Sequence, residues 1–493
     1  MQDPRAGRAG GAVTVIDSIR EQASRAPEQP ALLVDDGQGG IRIVSAGELV
    51  GIFEVHAKRL RAEGVRPGDR CGLVARQGRG FIELALGILA SDACLAPIPD
   101  DHRGAALDAF LERAKLHHVV VEEEGGFALR TRELAAADGA EEAAFRGLRP
   151  AYLRFTSGTT SRRKGVILGH DAIQARLAAA NRALRIGPDD RVLWLLPMAH
   201  HFVVSILLYL RYGAGILLPA SSLARPILEL GSRGGATVCY ASPNHIKLLA
   251  SDASSLGLPS LRLAISTADG LRAAVARSFE QRFGIPVTQA LGIIEVGLPV
   301  ANLAAAAEKP EALGQPLPDY QIWLRGEDGR PLVGPTSPER SGEICIRGPG
   351  MLDAYLDPWL SAREILEPDG FRTGDQGWFD ADGNLFLVGR RANRISMAGM
   401  KFFAEEVEEV LAAHPGLRTS RVFAREHAHL GEIPVAEVVP EDPARPPDPR
   451  ALTAFCRERL PAYKIPREFR VVEEIAKTSS GKLRRRSGTI DQP

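Results

Sequence analysis

Apolar positions along the first 300 residues recur with two alternating periods. Over residues 14–28 they recur at helical spacing and predict an amphipathic helix, and Ser45 is predicted to cap a second helix that runs to about residue 63. Short runs with strand character, such as 70–74 and 93–98, alternate with these helical segments. Such alternation is typical of parallel sheets with helices on their faces.

The pattern changes after about residue 312. Short β-type runs separated by Gly, Pro and Asp turns predict a smaller β-rich subdomain. The tail from about residue 392 predicts a separate unit with helices at 404–413 and 448–460 and strands near 420–424, 434–439 and 468–472. We therefore predict an α/β protein with two domains. Residues 1–390 form a large N-terminal domain with two βα-type sheets and the β subdomain, and residues 391–493 form a small α+β C-terminal domain.

One stretch, residues 152–170, places small, hydroxylated and cationic side chains between two β-type runs. Gly158 and its Thr and Ser neighbours are followed by Arg162, Arg163 and Lys164. A glycine lets backbone N–H groups approach a ligand, hydroxyls donate hydrogen bonds, and Lys or Arg supplies charge. The stretch predicts a strand, a polar loop and a second strand that together hold an anion, most naturally a polyphosphate.

Three other interpretations of this loop each require particular residues. A Walker A loop has Gly before its Lys and Ser or Thr after it, but Arg163 and Gly165 occupy those positions, so that motif is excluded. Ser161 and Lys164 match the Ser-x-x-Lys of β-lactamases and penicillin-binding proteins, but the chain has no Ser-Asp-Asn or Lys-Thr-Gly partner. A solvated polar hairpin loop remains open as the alternative.

Composition narrows the class of protein. The 493 residues exceed one ordinary core and predict about two to four domains or subdomains. Lys plus Arg and Asp plus Glu both number 61, so net charge gives no reason to expect nucleic acid or an anionic membrane as a partner. The five cysteines are scattered without a Cys-x-x-Cys pair, which argues against a disulfide framework or a zinc knuckle.

No targeting or membrane-spanning segment is predicted. Residues 1–11 are polar and lack an apolar core, so no signal peptide is indicated. The longest apolar run, 202–210, is nine residues long, whereas a membrane helix needs about 20. Because the cysteine pattern also fits a reducing compartment, we predict a cytoplasmic protein.

Seven separated motifs, in a fixed order along the chain, resemble those of the adenylate-forming superfamily. That superfamily comprises acyl- and aryl-CoA synthetases, adenylation domains of peptide synthetases, and luciferases. The resemblance extends from about residue 14 to 486. The motifs are Thr-Ser-Gly-Thr-Thr at 156–160 with Lys-Gly at 164–165, Pro-Met-Ala-His at 197–200, Gly-Ile-Ile-Glu at 292–295, Gly-Glu-Ile-Cys-Ile-Arg-Gly at 342–348, Arg-Thr-Gly-Asp at 372–375 with Gly-Arg at 389–390, the segment 399–408, and Lys-Thr-Ser-Ser-Gly-Lys at 477–482.

The resemblance implies a role for each motif. Lys164 and the phosphate loop would hold the β- and γ-phosphates of ATP, the loop residues being Thr156, Ser157, Gly158, Thr159 and Thr160. Glu295 would hold Mg²⁺, a hard cation that also bridges phosphates. Asp375 would accept both ribose hydroxyls, and Arg390 would add charge near the ribose and phosphates. The catalytic residues implied by the resemblance are Lys164, His200 and Lys482.

The resemblance also implies a reaction. A carboxylic acid is joined to the α-phosphorus of ATP with release of pyrophosphate, and the acyl group of the acyl-AMP then passes to a thiol. The thiol belongs to coenzyme A or to the phosphopantetheine of an acyl or peptidyl carrier protein. The C-terminal domain is implied to be a mobile lid that carries Lys482, with a hinge near residues 390–393. Ala392 stands where the family usually has Asp or Lys.

The acid pocket is predicted around the Pro-Met-Ala-His motif, which is similar to that of aryl-acid-activating members. No Asp in this stretch could pair with a substrate ammonium, which disfavours an ordinary amino acid. Apolar neighbours predict a hydrophobic acid, fatty or aryl, with His201 as its polar contact or as a structural histidine. The predicted pocket residues are His201, Phe202, Ile206, Thr267, Gly292, Ile293 and Ile294.

Further departures from the family pattern leave alternatives open. Ser161 replaces a loop Gly, Leu291 replaces an aromatic residue expected to stack on adenine, and Ile294 replaces a Thr. One alternative is a catalytically weakened homologue that binds a nucleotide or an acyl-adenylate. Another is an adenylation domain that acts only with a carrier protein.

Overall fold

The computed structural model describes residues 13–99, 102, 104–132, 139–156, 164–366, 368 and 370–476. These residues form two compact units. The first contains the described residues up to Thr156, together with Lys164–Gln321 and Arg347–Pro368. The second contains Ile322–Ile346 and the described residues after Pro368.

The first unit contains a nine-stranded sheet. Its six central strands are parallel and the three strands at its edges are antiparallel to their neighbours. In spatial order the strands are Gln315–Pro316, Gly297–Ala301, Val287–Ile293, Leu263–Ser266, Val238–Ala241, Arg191–Trp194, Gly215–Leu218, Pro30–Asp35 and Ile41–Ser45. Three of the central strands, Gly215–Leu218, Val238–Ala241 and Leu263–Ser266, are buried at every position, as expected for parallel strands covered on both faces.

A second sheet of the first unit has eight strands. In spatial order they are Leu360–Ser361, Ala354–Tyr355, Gly165–Gly169, Pro150–Phe155, Cys94–Pro97, Arg70–Val74, His118–Glu123 and Gly126–Thr131. The four strands from Pro150–Phe155 to His118–Glu123 run parallel, and the outer pairs are antiparallel.

Helices cover the sheets of the first unit, and some of them begin at a residue whose side chain caps the helix. Ser45 accepts a hydrogen bond from the Glu48 amide at 3.2 Å, and Thr14 caps the first helix in the same way, so the predicted Ser45 cap is confirmed. The helices are Val15–Arg25, Ala46–Ala62, Arg79–Ala90, Ala105–Arg113, Gly139–Gly147, His170–Leu184, Met198–His201, Ile206–Arg211, Ala224–Arg233, Pro243–Ala250, Ala273–Phe283 and Ala362–Ile365, with a 3₁₀ turn at Phe202–Val204.

The second unit contains two further sheets. The strands of one are Gln321–Arg325, Gly342–Arg347, Phe371–Phe379 and Leu385–Arg390. The other is formed by Met400–Phe403, Arg394–Met397, Gly431–Pro440 and Leu417–His427, with Glu468–Val471 pairing parallel to Gly431–Pro440. Helices Ala404–Ala412 and Pro449–Arg457 pack on this second sheet, and 3₁₀ turns lie at Pro338–Arg340 and Arg391–Asn393.

The predicted α/β class, with βα-type sheets followed by a smaller α+β region, is confirmed. Two features of this fold were not predicted from the pattern of apolar residues. One is the strand Gly126–Thr131 with the helix Gly139–Gly147 that follows it. The hairpin of Arg394–Met397 with Met400–Phe403 was also missed; its two-residue turn has positive φ at both Ala398 and Gly399, an unusual conformation for Ala. None of the described helices is long and apolar enough to cross a membrane.

Candidate functional site

The predicted strand–loop–strand is confirmed as an antiparallel hairpin of Pro150–Phe155 with Gly165–Gly169. At the end of the hairpin nearest the loop, the Thr156 amide donates to the Lys164 carbonyl at 2.9 Å, and the Lys164 amide donates to Thr156 Oγ1 at 3.4 Å. The hairpin therefore holds these two predicted phosphate ligands side by side. Ser157, Gly158, Thr159, Thr160 and the replacement Ser161 lie outside the described residues, as does Lys482.

A tyrosine links Lys164 to Glu295, although the sequence analysis did not single it out. Tyr355 lies in a strand beside the hairpin, paired with Val166. The Lys164 ammonium lies 4.7 Å from the centre of the Tyr355 ring, a cation–π contact. The Tyr355 hydroxyl donates to Glu295 Oε1 at 3.1 Å. The predicted phosphate-binding cation and the predicted metal ligand are thus brought together through one buried side chain.

The carboxyl group of Glu295 is buried in a cationic environment. Burial raises its pKa above the usual value of 4.5. A hydrogen bond from its own backbone amide, the Tyr355 hydroxyl, and the charges of Arg154 and Lys164 act in the opposite direction and favour the ionised form. Burial and the Glu295 charge also raise the pKa of Tyr355, so its hydroxyl stays protonated and remains a donor.

The backbone around Glu295 is fixed by three separate donors. The Leu352 amide donates to the Glu295 carbonyl at 2.7 Å. The buried Arg176 donates from Nη1 to the Ile294 carbonyl and from Nε to the Gly350 carbonyl, both at 2.9 Å. The Tyr320 hydroxyl lies 3.5 Å from the Val296 carbonyl. Three consecutive carbonyls, 294 to 296, are therefore each held by a different segment.

Arg176 is an unusual buried cation. It is 2% exposed, and burial lowers the pKa of its guanidinium to about 10. Its hydrogen bonds go to backbone carbonyls of two segments that flank Glu295. The sequence did carry a signal for it, because Arg176 falls on the apolar face of the helix His170–Leu184, between Ile173 and Ala180.

The Pro-Met-Ala-His segment forms the short helix Met198–His201 against the phosphate-loop hairpin. Arg154 donates to the His200 carbonyl, and the Tyr152 hydroxyl donates to the Ala199 carbonyl at 3.3 Å. His200 is buried. The strand that leads into the phosphate loop therefore also positions the predicted catalytic histidine's backbone.

The predicted pocket residues fall into three groups. Thr267 donates to the Ala290 carbonyl at 2.9 Å and lies beside Gly292, and Ile293 and Ile294 continue the same segment towards Glu295. His201 is half-buried beside aromatic rings. Phe202 and Ile206 are fully buried, with the Phe202 ring 5.8 Å from that of Phe81.

In the second unit, the predicted ribose ligands are neighbours. Asp375 and Arg390 are directly opposed in the antiparallel pair of Phe371–Phe379 and Leu385–Arg390. Arg390 Nε lies 3.2 Å from Asp375 Oδ1. The Asp375 amide donates to Thr373 Oγ1 at 3.0 Å across Gly374, whose φ of +75° suits a glycine. The turn thus fixes the backbone from which the Asp375 carboxylate projects.

The donor set fits Mg²⁺ bound mainly through phosphates. Among the described residues there is no group of three or more His, Cys, Asp or Glu side chains that could hold a metal ion. Mg²⁺ commonly takes one or two protein carboxylates and fills its other positions with phosphate oxygens and water. Glu295 supplies one such carboxylate close to Lys164, the predicted phosphate ligand.

Comparisons with known proteins agree with this arrangement. The AMP-binding enzyme family matches residues 19–356, and the AMP-binding enzyme C-terminal domain matches residues 406–482. The chain is 28% identical to sulfoacetate–CoA ligase of Cupriavidus necator, with 96% of both chains covered. It is 27% identical to 2-succinylbenzoate–CoA ligase of Geobacillus kaustophilus, covering 96% of this chain and 97% of the relative.

Solved structures share the fold. The o-succinylbenzoate CoA synthetase from Bacillus subtilis, in complex with its acyl-adenylate intermediate, superposes with a TM-score of 0.81 at 23% identity, covering 95% of this chain and 96% of that one. The anthranilate CoA ligase AuaEII, in complex with anthranoyl-AMP, gives a TM-score of 0.78 at 21% identity, with 96% and 95% covered. The resemblance read from the motifs is confirmed: this chain belongs to the AMP-binding enzyme family of adenylate-forming enzymes.

Proposed function

We propose that this protein is an ATP-dependent acid–thiol ligase that adenylates a small carboxylic acid and passes the acyl group to coenzyme A. The observation that carries the proposal is the contact of Tyr355 with both Lys164 and Glu295. It brings a cation and a carboxylate together beside the hairpin of Pro150–Phe155 with Gly165–Gly169, within the segment that matches the family.

The chemistry requires two anions, a carboxylate and a triphosphate, to meet. Catalysis is therefore mainly positioning and stabilisation of charge. Lys164 and the Thr156 hydroxyl would bind the departing pyrophosphate. Glu295 would hold Mg²⁺, which when bound neutralises phosphate charge. Asp375 would accept the ribose hydroxyls, and Lys482 would bind the carboxylate and the α-phosphate.

Coenzyme A is proposed as the acceptor because the full-length relatives are named CoA ligases, among them oxalate–CoA ligase of Arabidopsis thaliana, 26% identical over 96% of this chain. A carrier protein is the second candidate for the acceptor of the acyl group. It is favoured by one relative, the phenyloxazoline synthase MbtB of Mycolicibacterium paratuberculosis, which this chain matches over only 41% of that protein's length.

Exchange of labelled pyrophosphate into ATP, measured with a panel of carboxylic acids, tests the proposal. An active acid should support exchange in the wild type and not in Glu295→Gln. Thioester formation is then measured with coenzyme A and with a phosphopantetheinylated carrier protein side by side. ATP binding without exchange for any acid would instead support the weakened binding homologue. Thioester on the carrier alone would identify an adenylation domain.

A further inference from the structure

Four aromatic rings cluster beside the helix Met198–His201. The Trp194 and Tyr240 rings are stacked, with centroids 5.3 Å apart and planes within 7°. His201 lies edge-on to both, at 6.3 and 6.4 Å, and Tyr209 lies edge-on to both at 6.2 and 6.4 Å. Three of the rings are buried, and His201 is half-buried and is the most accessible ring of the four.

The cluster lies where parallel sheets usually bind ligands. Trp194 ends its strand, and Tyr240 is its register partner in the adjacent parallel strand. Ligands of open α/β sheets bind in the crevice at the carboxyl ends of such strands. The aromatic cluster is therefore part of the binding face of the nine-stranded sheet.

The cluster also touches both segments of the proposed reaction site. His201 directly follows His200, whose carbonyl accepts from Arg154 of the phosphate-loop hairpin. On the other side, the Thr267 amide donates to the carbonyl of Ala241, the residue that follows Tyr240, at 3.1 Å. Thr267 lies beside Gly292, three residues before Glu295. An acyl group on the cluster would thus adjoin the groups that bind the nucleotide.

One polar group in the cluster is unsatisfied. The indole Nε1–H of Trp194 is buried, and no group among the described residues accepts a hydrogen bond from it. Buried donors are nearly always paired, by protein, water or ligand. An acceptor on the bound acid would satisfy this donor, whereas a plain hydrocarbon chain would leave it unpaired.

We infer that the acid is an aromatic carboxylic acid whose ring carries an oxygen acceptor, such as a hydroxyl, a carbonyl or a second carboxylate. The ring packs against Trp194, Tyr240 and His201 in the edge-to-face and offset arrangements that aromatic rings prefer. The acceptor takes the Trp194 N–H. The inference rests on the proposed function, because it names the acid that the ligase activates.

The test compares four acids on the wild type: a hydroxybenzoate, benzoate, cyclohexanecarboxylate and hexanoate. Pyrophosphate exchange gives kcat/KM, and calorimetry gives the binding affinity of each acid independently of catalysis. We expect the hydroxybenzoates to be preferred at one ring position, benzoate to follow, and both to exceed the saturated acids. Trp194→Phe keeps a ring but removes the donor, so it should lower kcat/KM for the preferred hydroxybenzoate about tenfold and that for benzoate less than about twofold. Trp378→Phe, in the second unit, is the matched control and should change neither.

The outcomes separate the two proposals. Hexanoate or cyclohexanecarboxylate binding as well as the aromatic acids would overturn the inference, and so would an equal loss for both aromatic acids in a folded Trp194→Phe. Preferential binding of the hydroxybenzoate without any exchange would support the inference and reject the ligase. The comparison of the four acids on the wild type tests the inference about the aromatic acid even if Trp194→Phe does not fold.

Discussion

Replacement of Tyr355 by Phe isolates the contact that joins Lys164 and Glu295 in the proposed phosphate site. The ring over Lys164 is kept, and only the hydroxyl that donates to Glu295 Oε1 at 3.1 Å is removed. A hydrogen bond to a charged group contributes about 1.5–3 kcal/mol, which corresponds to about a 10- to 150-fold change in an equilibrium constant. Because the Glu295 carboxylate keeps its own amide and two nearby cations, we expect the lower end of that range.

The assay is pyrophosphate exchange with Mg²⁺ varied at fixed ATP and acid. Tyr355→Phe should need about tenfold more Mg²⁺ for half-maximal rate, because Glu295 is less well oriented and less readily ionised. The matched control is Tyr320→Phe. Tyr320 is also buried, but its hydroxyl lies 3.4 and 3.5 Å from backbone carbonyls and does not touch the Glu295 carboxylate. A folded Tyr355→Phe with wild-type Mg²⁺ dependence, or an equal shift in Tyr320→Phe, would refute the reasoning.

The same variant should move the acid limb of the pH profile. In the proposed site Glu295 must be ionised to hold Mg²⁺, and burial raises its pKa above 4.5, so we expect activity to be low below that raised pKa and to increase as pH rises through it. The Tyr355 hydrogen bond lowers the Glu295 pKa. Its loss should therefore shift the limb to higher pH, and a shift to lower pH would contradict the assignment.

Three further variants test other parts of the molecule. Asp375→Asn should weaken ATP binding about tenfold in calorimetry and reduce the discrimination against 2′- and 3′-deoxy-ATP, because an amide keeps a single acceptor oxygen; retained discrimination would reject the ribose assignment. Lys482→Ala should abolish adenylation while leaving ATP binding largely intact, and an unchanged adenylation rate would show that the tail assignment is wrong. Burial and the charge of Arg149 lower the pKa of His170 to about 4. Its contribution to stability is therefore present above an unfolded pKa of about 6.5 and is lost as pH falls towards 4, by about 2 kcal/mol at pH 5. His170→Gln should lose that much less stability between pH 7 and pH 5 in urea unfolding, and an identical loss would count against a buried neutral histidine.

Local chemistry explains why much of the fold and part of the site could be predicted. Ser45 caps its helix through a hydrogen bond within four residues, and the β-type runs on either side of the phosphate loop pair with each other. Asp375 and Arg390 meet across one antiparallel pair. In each case the interacting groups lie within one helix turn or one hairpin, where residue order nearly dictates geometry.

Contacts made over long separations were not predictable in this way. Tyr355 lies in a two-residue strand without any periodic pattern, and its partner Glu295 is 60 positions away. Arg176 donates to the carbonyl of Ile294, 118 positions away. The stacked rings of Trp194 and Tyr240 meet only because their strands are neighbours in the nine-stranded sheet. A residue type alone does not specify such a partner.

The sequence by itself determined the α/β class, the order of the motifs and the family, because periodicity, caps and motif spacing are local properties of the chain. The tertiary structure alone decided that Tyr355 joins Lys164 to Glu295, that Arg176 fixes the backbone beside that carboxylate, and that the buried Trp194 donor has no partner within the described part of the chain. Burial and charge at these positions depend on which distant strands become neighbours, and that is settled only when the sheets form.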